Sequence, residues 1–444
     1  MTEPPLAAVV MAGGLGTRMR SAVPKHLHEL LGRSLIEWVL AAVEPLGATR
    51  VVLVCSPQNE AALRERLGDR VEYVVQDEPR GTGHSVACAG PALSGFDGDV
   101  LVVPGDTPLL REETLAGLLR AHRTSGAAVT LLSFEPPDAR RYGRVIRDDS
   151  GAVLRIVEAG DASEEELAVR EVNASVYVFA SSSLWPALGK LEPHNVQGEL
   201  YLTDAVGHLT GAGALAAGHV TDDWQAVEGV NTRVELADAM DVLRHRILRE
   251  VMLAGGTVID RGSTWIDHGV RVEPDAVIHP FTVLRGSTTV GAGAQVGPHV
   301  VAVDAEIGPA ALVGPFCYLR PGTVLRERAK AGTFVEMKNS VIGRGSKVPH
   351  LSYIGDADVG EGTNIGAGAI TANYRAELGG KFRTRIGDDV HTGSHNVFVA
   401  PIEIGDGAWV GAGSTITKDV PPGALAVARA RQLNKEGYRG RQHD

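Results

Sequence analysis

The second half of the chain carries an aliphatic residue at every sixth position, and this period constrains the fold more than any other feature of the sequence. The pattern runs from Ile266 to Ile416, and its longest unbroken series has six members: Ile266, Val272, Ile278, Leu284, Val290 and Val296. Neither an α-helix nor a hairpin sheet has a period of six. The period is typical of a left-handed parallel β-helix, in which three short strands form each coil and the repeating side chain points inward. Because one coil cannot bury its apolar side chains alone, the coils must stack.

The first half alternates short apolar segments with amphipathic ones. Strands are predicted at residues 6–11, 51–55, 71–75, 100–103 and 128–134, with helices between them, and hairpins over residues 145–179. This alternation predicts an α/β fold with a doubly wound, Rossmann-like parallel sheet, whose ligands bind at the carboxyl ends of the strands. A long helix with apolar residues at helical spacing then leads to the β-helix. The predicted domains are residues 1–231, a linker helix at 232–255, and the β-helix with its C-terminal tail at 256–444.

Composition limits the possible partners and compartments. The chain has 444 residues and a formal net charge of −11, which argues against general binding to nucleic acid or to anionic membranes. Its three cysteines have no paired spacing, as expected in a reducing compartment. No apolar stretch approaches the length of a membrane span. We therefore expect a cytoplasmic protein that acts on small molecules, with neither nucleic acid nor a membrane as partner.

A glycine-rich loop at residues 12–19 follows the first predicted strand. A loop of this kind places backbone N–H groups against phosphates, although a bare glycine loop is equally typical of an ordinary tight turn. Arg18 near the end of this loop and Lys25 just beyond it add two positive charges. The combination favours a triphosphate site.

Other polar residues stand where predicted strands end or where a helix begins. Asp106 follows the fourth strand, where a turn or helix-cap Asp and a metal ligand are both possible. Glu158 and Asn173 lie on the hairpin strands, where spacing alone does not separate a cleft from a surface pair. Asn231 precedes a capping box formed by Thr232 and Glu235, which leaves the Asn231 side chain available for another role.

Longer motifs resemble a known family. Residues 13–25 are similar to the signature of sugar-nucleotide pyrophosphorylases, and residues 81–84, 105–106, 197–204 and 228–231 narrow the match. In the second half, residues 320–322, 334–338, 350–353 and 364–368 resemble one family. It is that of the bacterial bifunctional N-acetylglucosamine-1-phosphate uridyltransferases and glucosamine-1-phosphate acetyltransferases. The resemblance covers nearly the whole chain in the same order, and it implies synthesis of UDP-N-acetylglucosamine in two reactions.

For the first domain the resemblance implies attack of a sugar 1-phosphate on the α-phosphorus of UTP, with release of pyrophosphate. Arg18 and Lys25 would meet the triphosphate, and Asp106 and Asn231 would bind Mg²⁺. Gly143, Glu158 and Asn173 would hold the sugar. The uridine nucleotide would lie against the following residues: Met11, Ala12, Gly13, Gly14, Gln76, Gly81, Thr82, Pro104 and Gly105.

For the β-helix the resemblance implies acetyl transfer from acetyl-CoA to glucosamine 1-phosphate. His350 would accept a proton from the attacking amine, a role that suits imidazole near neutral pH. The phosphosugar would contact Arg320, Lys338, Tyr353, Asn364 and Lys381. The coenzyme site would contain Ala367, Asn373, Tyr374, Ser394, Ala412 and Arg429. The resemblance also implies a homotrimer that shares its acetyl-transfer sites between subunits.

The sequence departs from the family pattern at several positions. Pro104 and Pro349 replace the residues that the family usually has directly before Gly105 and before the predicted catalytic His350. Ala174-Ser175 follows Asn173, where the family usually has Thr-Gly. Ile386 lies 21 positions after Ile365, so we expect a loop three residues longer than one coil, extending towards a neighbouring subunit.

Two alternative functions remain at this stage. One is a nucleotidyltransferase whose β-helix only oligomerises or regulates, and the other is a scaffold in which both sites are inactive. The presence of Lys338, His350, Tyr353 and Asn373 argues against the first alternative. The presence of Arg18, Lys25, Asp106 and Asn231 argues against the second.

Overall fold

The computed structural model describes residues 3–139, 141–436 and 438, and the chain divides between Leu243 and Arg244 into two units. The predicted domain boundaries at residues 231 and 255 stay a prediction. Within the described residues, no helix has both the length and the apolar character needed to cross a membrane.

Among the described residues, eleven strands and eight α-helices precede the β-helix, and the last α-helix crosses the division between the units. The strands are β1 (Leu6–Ala12), β2 (Glu29–Leu30), β3 (Arg33–Ser34), β4 (Arg50–Cys55), β5 (Glu72–Val75), β6 (Asp99–Pro104), β7 (Val129–Phe134), β8 (Arg144–Arg147), β9 (Val153–Val157), β10 (Val172–Ala180) and β11 (Ala216–Thr221). The helices are α1 (Leu35–Val43), α2 (Glu60–Leu67), α3 (Thr82–Cys88), α4 (Glu112–Ser125), α5 (Glu164–Leu167), α6 (Ser181–Leu188), α7 (Leu202–Gly211) and α8 (Arg233–Leu253).

The main sheet of the first unit has the order β11-β7-β10-β6-β1-β4-β5, and β8 joins β9 to β10. Strands β6, β1, β4 and β5 are parallel, which confirms the predicted parallel sheet in this region. Strand β10 runs antiparallel to both of its neighbours, β6 and β7. The predicted hairpin region forms β8, β9 and β10. Since β1 lies between β4 and β6, its carboxyl end is flanked by the ends of two other strands.

The central strand β1 is apolar on both faces. Leu6, Ala8 and Val10 pack into the core on the side of α1 and α4, whereas Ala7 and Val9 pack on the side of α3, α6 and α7. A continuous apolar strand of this kind is typical of a parallel sheet covered on both sides. The capping box of Ser34 and Glu37 fixes the start of α1 on the first side. The doubly wound prediction is therefore confirmed.

The second unit is a parallel β-helix with three faces, which confirms the fold predicted from the hexad period. Face A contains Thr257–Val258, Val277–Ile278, Gln295–Val296, Leu312–Val313, Lys330–Thr333, Lys347–His350, His391–Thr392, Trp409–Val410 and Leu425–Ala426. Face B contains Trp265–Ile266, Val283–Arg285, Val300–Val303, Cys317–Leu319, Glu336–Lys338, Tyr353–Gly355, Ile370–Ala372, Val397–Val399 and Thr415–Ile416. Face C contains Arg271–Val272, Thr289–Val290, Glu306–Ile307, Val324–Leu325, Val341–Ile342, Ala357–Val359, Thr384–Ile386 and Ile402–Ile404.

The hexad residues line up in the interior of the β-helix. On face A, Ile278 pairs with Val296 and Val296 with Val313, and all three side chains are buried. Each buried aliphatic side chain stabilises the fold by roughly 1.5–3 kcal/mol relative to exposure. The paired residues are 18 or 17 positions apart, because some corners have one residue fewer. This difference explains why the six-residue spacing is interrupted at some points, as between Val296 and Ile307, which are eleven positions apart.

One coil contains a long excursion. Ile370 pairs with Val397, 27 positions later, whereas Val397 pairs with Thr415, only 18 positions later. The excursion therefore adds nine residues, and the expected excess of three was wrong. That count compared Ile365, next to a face A bridge, with a residue of face C. The extra residues include an antiparallel hairpin of Tyr374–Arg375 with Gly380–Lys381.

An exposed aromatic ladder follows one corner of the β-helix. Its members are Phe281, His299, Phe316 and Phe334, whose φ angles lie between 54° and 59°. Their ring centroids are 4.6, 4.7 and 5.2 Å apart in sequence order, and the rings are stacked. The left-handed backbone at each corner aims successive rings outward in one line, so the stacking joins four coils from outside the core.

We expect Phe316→Ala to lower the stability of the second unit more than Phe281→Ala does. Phe316 stacks on two rings, whereas Phe281 stacks on one described ring. Each stack contributes about 0.5–1.5 kcal/mol beyond the area that it buries. Thermal unfolding of the two variants, followed by calorimetry, should show the larger shift for Phe316→Ala. Equal shifts would mean that the stacking does not carry the difference.

Candidate active sites

The glycine-rich loop of the first unit starts where β1 ends beside β6. Gly105 donates its backbone N–H to the carbonyl oxygen of Met11 at 2.8 Å, which places Met11 and Ala12 beside Pro104, Gly105 and Asp106. The buried Asn59 donates its side-chain amide to the carbonyl oxygen of Ala12 at 2.8 Å. Sequence reasoning missed this role of Asn59, for which the only signal was its position at the start of α2.

Gln76 directly follows β5, on the other side of β4 from β1, and its side chain closes this loop. A Cβ atom on Gly13 would lie 2.6 Å from Gln76 Oε1, so a larger residue at this position would displace the end of the Gln76 side chain. Gln76 Nε2 donates to the carbonyl oxygen of Gly81 at 3.3 Å. Gly81 has a φ of 103°, and Thr82 begins α3 immediately after it. The structure thus brings the nucleotide residues predicted at 11–14, 76, 81 and 82 to one edge of the sheet.

Four predicted residues from distant parts of the chain form one polar cluster. Lys25 Nζ donates to the carboxylate of Asp106 and, at 3.1 Å, to Oδ1 of Asn231. Arg18 donates to the same Oδ1 atom at 3.0 Å. The Glu235 carboxylate accepts the backbone N–H groups of Asn231 and Thr232. Thr232 and Glu235 thus form the predicted capping box at the N-terminus of α8, and the Asn231 side chain lies in the cluster.

The positive charge of this cluster comes from Arg18 and Lys25 and not from the neighbouring His26. Burial of His26 and the charge of Lys25 lower the pKa of His26 to about 4. The imidazole is therefore neutral at pH 7. Two cations beside a loop of backbone N–H groups form a site for a polyphosphate.

The oxygen atoms of Asp106 and Asn231 fit a divalent cation. Both accept a hydrogen bond from the same ammonium group of Lys25, so they converge on one positively charged position. A carboxylate and an amide oxygen are hard ligands that suit Mg²⁺, which commonly takes one or two protein ligands and completes its shell with water and phosphate. Within the described part of the chain, no cluster of three or more His, Cys, Asp or Glu residues forms a denser metal site.

The sugar residues predicted on the hairpin strands also come together. Asn173 donates its backbone N–H to the carbonyl oxygen of Gly143 at 2.9 Å, and a Cβ atom on Gly143 would lie 3.4 Å from the Glu158 carboxylate. Thr203 donates its hydroxyl to Glu158 at 3.1 Å. Burial and the nearby charges of Asp204 and Asp161 raise the pKa of Glu158. Glu158 lines a cavity of about 380 Å³, which favours a position in a cleft over a surface pair for this residue.

In the second unit, His350 lies in a row along the edge between faces A and B. The carbonyl oxygens of His350, Ala367 and Ser394 accept backbone N–H groups from equivalent corner positions of the next coils, at 3.2, 2.7 and 2.8 Å. The third donor is Gly413, directly after Ala412. The predicted coenzyme residues Ala367, Ser394 and Ala412 therefore continue the row that starts at His350.

The His350 side chain is exposed on this edge and does not pack inside the coil. Pro349 precedes it, yet His350 still pairs with Thr333 in the strand ladder. The proline therefore leaves the register of this strand intact. An exposed imidazole at the start of a row of small residues leaves space for a thioester.

Basic residues gather on face B next to this edge. Arg320 donates to Glu336 at 2.9 Å, and Lys338 and Tyr353 lie on adjacent strands. The hairpin of the long coil brings Lys381 to Lys338, whose hydrogen bond and charge lower the pKa of Lys381. Two ammonium groups held this close together form a favourable position for a phosphate.

Asp356 lies beside the cluster of basic residues on face B and was not predicted from the sequence. Its carboxylate accepts hydrogen bonds from Asn339, at 2.6 Å, and from Asn373. Asn373 also donates to the hydroxyl of Tyr353 at 3.5 Å. Burial opposes ionisation of Asp356, but these hydrogen bonds and the charges of Lys338 and Lys381 lower its pKa overall. The only sequence signal was its place three residues after Tyr353.

Three predicted residues lie apart from this cluster. Asn364 bridges Lys347 and His391 on face A, away from the face that carries Lys338 and Tyr353. Tyr374 lies on the hairpin and is 65% exposed. Arg429 follows the last strand of face A, and its Cδ atom is 4.0 Å from a Cβ position on Gly413, which places it at the end of the His350 row.

Comparison with known proteins agrees with the geometry of both units. The MobA-like NTP transferase domain matches residues 8–205. The chain is 49% identical to the bifunctional protein GlmU of Streptomyces avermitilis over 99% of this chain and 95% of that protein. It is 50% identical to the Streptomyces coelicolor protein of the same name, with the same coverage, and 47% identical to that of Thermobifida fusca over 98% of this chain and 94% of that protein. At these identities over nearly full length, the chain belongs to the bifunctional GlmU protein family.

Proposed function

We propose that this chain makes UDP-N-acetylglucosamine in two steps. The β-helix transfers an acetyl group from acetyl-CoA to glucosamine 1-phosphate, and the first unit then transfers uridylyl from UTP to N-acetylglucosamine 1-phosphate. The observation that carries the proposal is the presence of two assembled clusters in one chain. One joins Arg18, Lys25, Asp106 and Asn231, and the other joins Lys338, Tyr353, Asn373 and Lys381 beside His350. We assign these activities to domains at residues 1–231 and 256–444, joined by a helix at 232–255.

In uridylyl transfer the chain binds and aligns two anionic reactants. The loop at residues 11–14, with Gln76, Gly81 and Thr82, holds the nucleotide, while Arg18 and Lys25 neutralise the triphosphate. Gly143, Glu158 and Asn173 orient the sugar so that its phosphate oxygen faces the α-phosphorus of UTP. Asp106 and Asn231 would hold Mg²⁺, which supplies charge neutralisation for the phosphoryl oxygens. No protein nucleophile is required, since alignment and charge account for such transfers.

In acetyl transfer the amine of glucosamine 1-phosphate attacks the thioester carbonyl of acetyl-CoA. His350 accepts the proton that the amine loses, the C–S bond of the thioester breaks, and coenzyme A leaves as a thiolate that takes up a proton to give the free thiol. Lys338 and Lys381, with Arg320 and Tyr353, bind the sugar phosphate on face B. The row of Ala367, Ser394 and Ala412, which ends near Arg429, gives the extended coenzyme a path along the edge, and Asn373 and Tyr374 complete the coenzyme site.

The acetyl-transfer site is best completed by other copies of the chain. Asn364 lies on face A and the exposed Tyr374 on the hairpin, whereas the phosphate cluster lies on face B. Association of three β-helices side by side would bring face A of one copy towards the edge of another. This supports the proposal of a homotrimer. We also propose a cytoplasmic location, because acetyl transfer consumes acetyl-CoA and uridylyl transfer consumes UTP, which are both metabolic intermediates.

The purified protein should form UDP-N-acetylglucosamine, free coenzyme A thiol and pyrophosphate from glucosamine 1-phosphate, acetyl-CoA, UTP and Mg²⁺. Without acetyl-CoA, product formation should stop and should return when N-acetylglucosamine 1-phosphate is supplied. Without UTP, thiol release should continue. Sugar-nucleotide formation with no thiol release under any condition would show that the β-helix has no acetyltransferase activity.

A further inference from the structure

We infer that Tyr177 is a positioning residue for the sugar site and that its hydroxyl fixes the side-chain amide of Asn173. This inference deepens the proposed uridylyl transfer and rests on it. Asn173 Nδ2 donates to the Tyr177 hydroxyl at 2.6 Å. Tyr177 is 1% exposed and Asn173 4%, so water does not compete for this hydrogen bond.

An irregularity in β10 creates the contact. In a regular strand, residues four positions apart lie about 13 Å from each other, too far for a direct hydrogen bond. Here Asn173 pairs with Ser133 and Tyr177 with Leu131, so four steps on β10 match only two on β7. Ser175 lies in the bulge with a left-handed φ of 59°. The bulge shortens the strand and brings the two side chains together.

The same bulge determines the orientation of the amide. Ser175 donates its backbone N–H to Asn173 Oδ1 at 3.1 Å. Because a backbone N–H can only donate, Oδ1 must face Ser175 and Nδ2 must face Tyr177. Tyr177 therefore accepts one of the two Nδ2 protons. The second proton and the remaining lone pair of Oδ1 then have fixed directions, and we assign them to the bound sugar.

The surroundings of Tyr177 keep its hydroxyl in the neutral form. Burial, together with the charge of Glu158, raises the pKa of Tyr177. Glu158 itself is held by Thr203, and the carbonyl oxygen of Gly143 accepts the backbone N–H of Asn173. Tyr177 thus lies behind the sugar residues and acts on the substrate through Asn173. Without the Tyr177 hydroxyl, the Asn173 amide would lose this contact and would have to be ordered when the sugar binds.

Tyr177→Phe tests this role through the steady-state kinetics of uridylyl transfer. The KM for N-acetylglucosamine 1-phosphate should rise about 5- to 10-fold, as expected for one buried hydrogen bond. The kcat and the KM for UTP should stay within about twofold of wild type. In an Asn173→Ala background, Tyr177→Phe should have no further effect, because residues that act through one contact are not additive.

Tyr73→Phe is the matched control. Its hydroxyl donates to the carbonyl oxygen of Gly68 at 2.8 Å, at a site outside the sugar pocket, and its loss should leave the sugar KM unchanged. The inference is overturned if Tyr177→Phe leaves the sugar KM unchanged, raises the KM for UTP equally, or acts by the same factor in the Asn173→Ala background. Absence of any UDP-sugar formation by the wild type would instead contradict the proposed function.

A measurement on the unmodified protein does not depend on how the variant folds. One Asn173 side-chain N–H is held by Tyr177 in a buried contact, whereas the other is available to a ligand. In NMR spectra, with the Asn173 signals assigned by comparison with Asn173→Ala, one proton should exchange slowly with solvent. Fast exchange of both protons would contradict the inference.

Discussion

Replacing His350 with alanine is expected to lower the kcat of acetyl transfer about 10²- to 10⁴-fold, the usual contribution of a general base. Its exposed imidazole begins the row of Ala367, Ser394 and Ala412, where the thioester would lie. Uridylyl transfer from UTP to N-acetylglucosamine 1-phosphate should remain at the wild-type rate, because its residues belong to the first unit. Separate assays of thiol release and pyrophosphate release on one preparation measure both effects.

His279→Ala is a matched control for this variant. His279 follows the face A strand Val277–Ile278 and is half-buried on a coil that carries no predicted site residue. Its loss should leave thiol release within about twofold of wild type, as is usual for substitutions away from a site. If His350→Ala reduced both activities equally, it would act through folding and not as the base. If it left thiol release unchanged, the assignment of His350 would be wrong.

The hexad period was sufficient to predict the β-helix because each strand places one aliphatic side chain in the interior, so the period follows directly from the packing. The side-chain columns across coils were harder to predict. Asp356 bonds Asn339 and Asn373, each 17 positions away, and this alignment depends on which corners lose a residue. The position of Lys381 depends on a nine-residue excursion. These features depend on which residues of successive coils lie above one another. The spacing of aliphatic residues along the sequence does not determine this alignment.

In the first unit, strands and their polar ends could be predicted from local patterns, but the neighbours of each strand could not. Lys25 meets Asn231 across 206 positions and Asp106 across 81, because the sheet order places β6 beside β1. Tyr177 illustrates a second limit. Alternation along β10 predicts a regular strand, whereas the bulge at Ser175 turns Tyr177 towards Asn173. Long-range sheet order and local irregularity therefore account for most of what the sequence did not predict.

Asp106→Ala should lower uridylyl transfer about 10²- to 10⁴-fold at limiting Mg²⁺, because a metal ion contributes several kcal/mol of charge stabilisation in such reactions. Acetyl transfer should not change. Pyrophosphate release measured across a Mg²⁺ titration checks this prediction. Asp97→Ala, on the exposed loop before β6, is the control and should behave as wild type.

The Mg²⁺ titration also separates two roles that Asp106 could have, since its carboxylate is bonded to Lys25. As a metal ligand, Asp106 sets the Mg²⁺ concentration that gives half-maximal rate, and its loss should raise that concentration as well as lower the rate. If Asp106 only held Lys25 against the triphosphate, its loss would raise the KM for UTP and leave the Mg²⁺ dependence unchanged. Lys25→Met should show that second pattern, because it removes the cation and keeps both oxygen ligands. Identical Mg²⁺ curves for wild type and Asp106→Ala would therefore contradict the metal assignment and leave the ion pair with Lys25 as the function of Asp106.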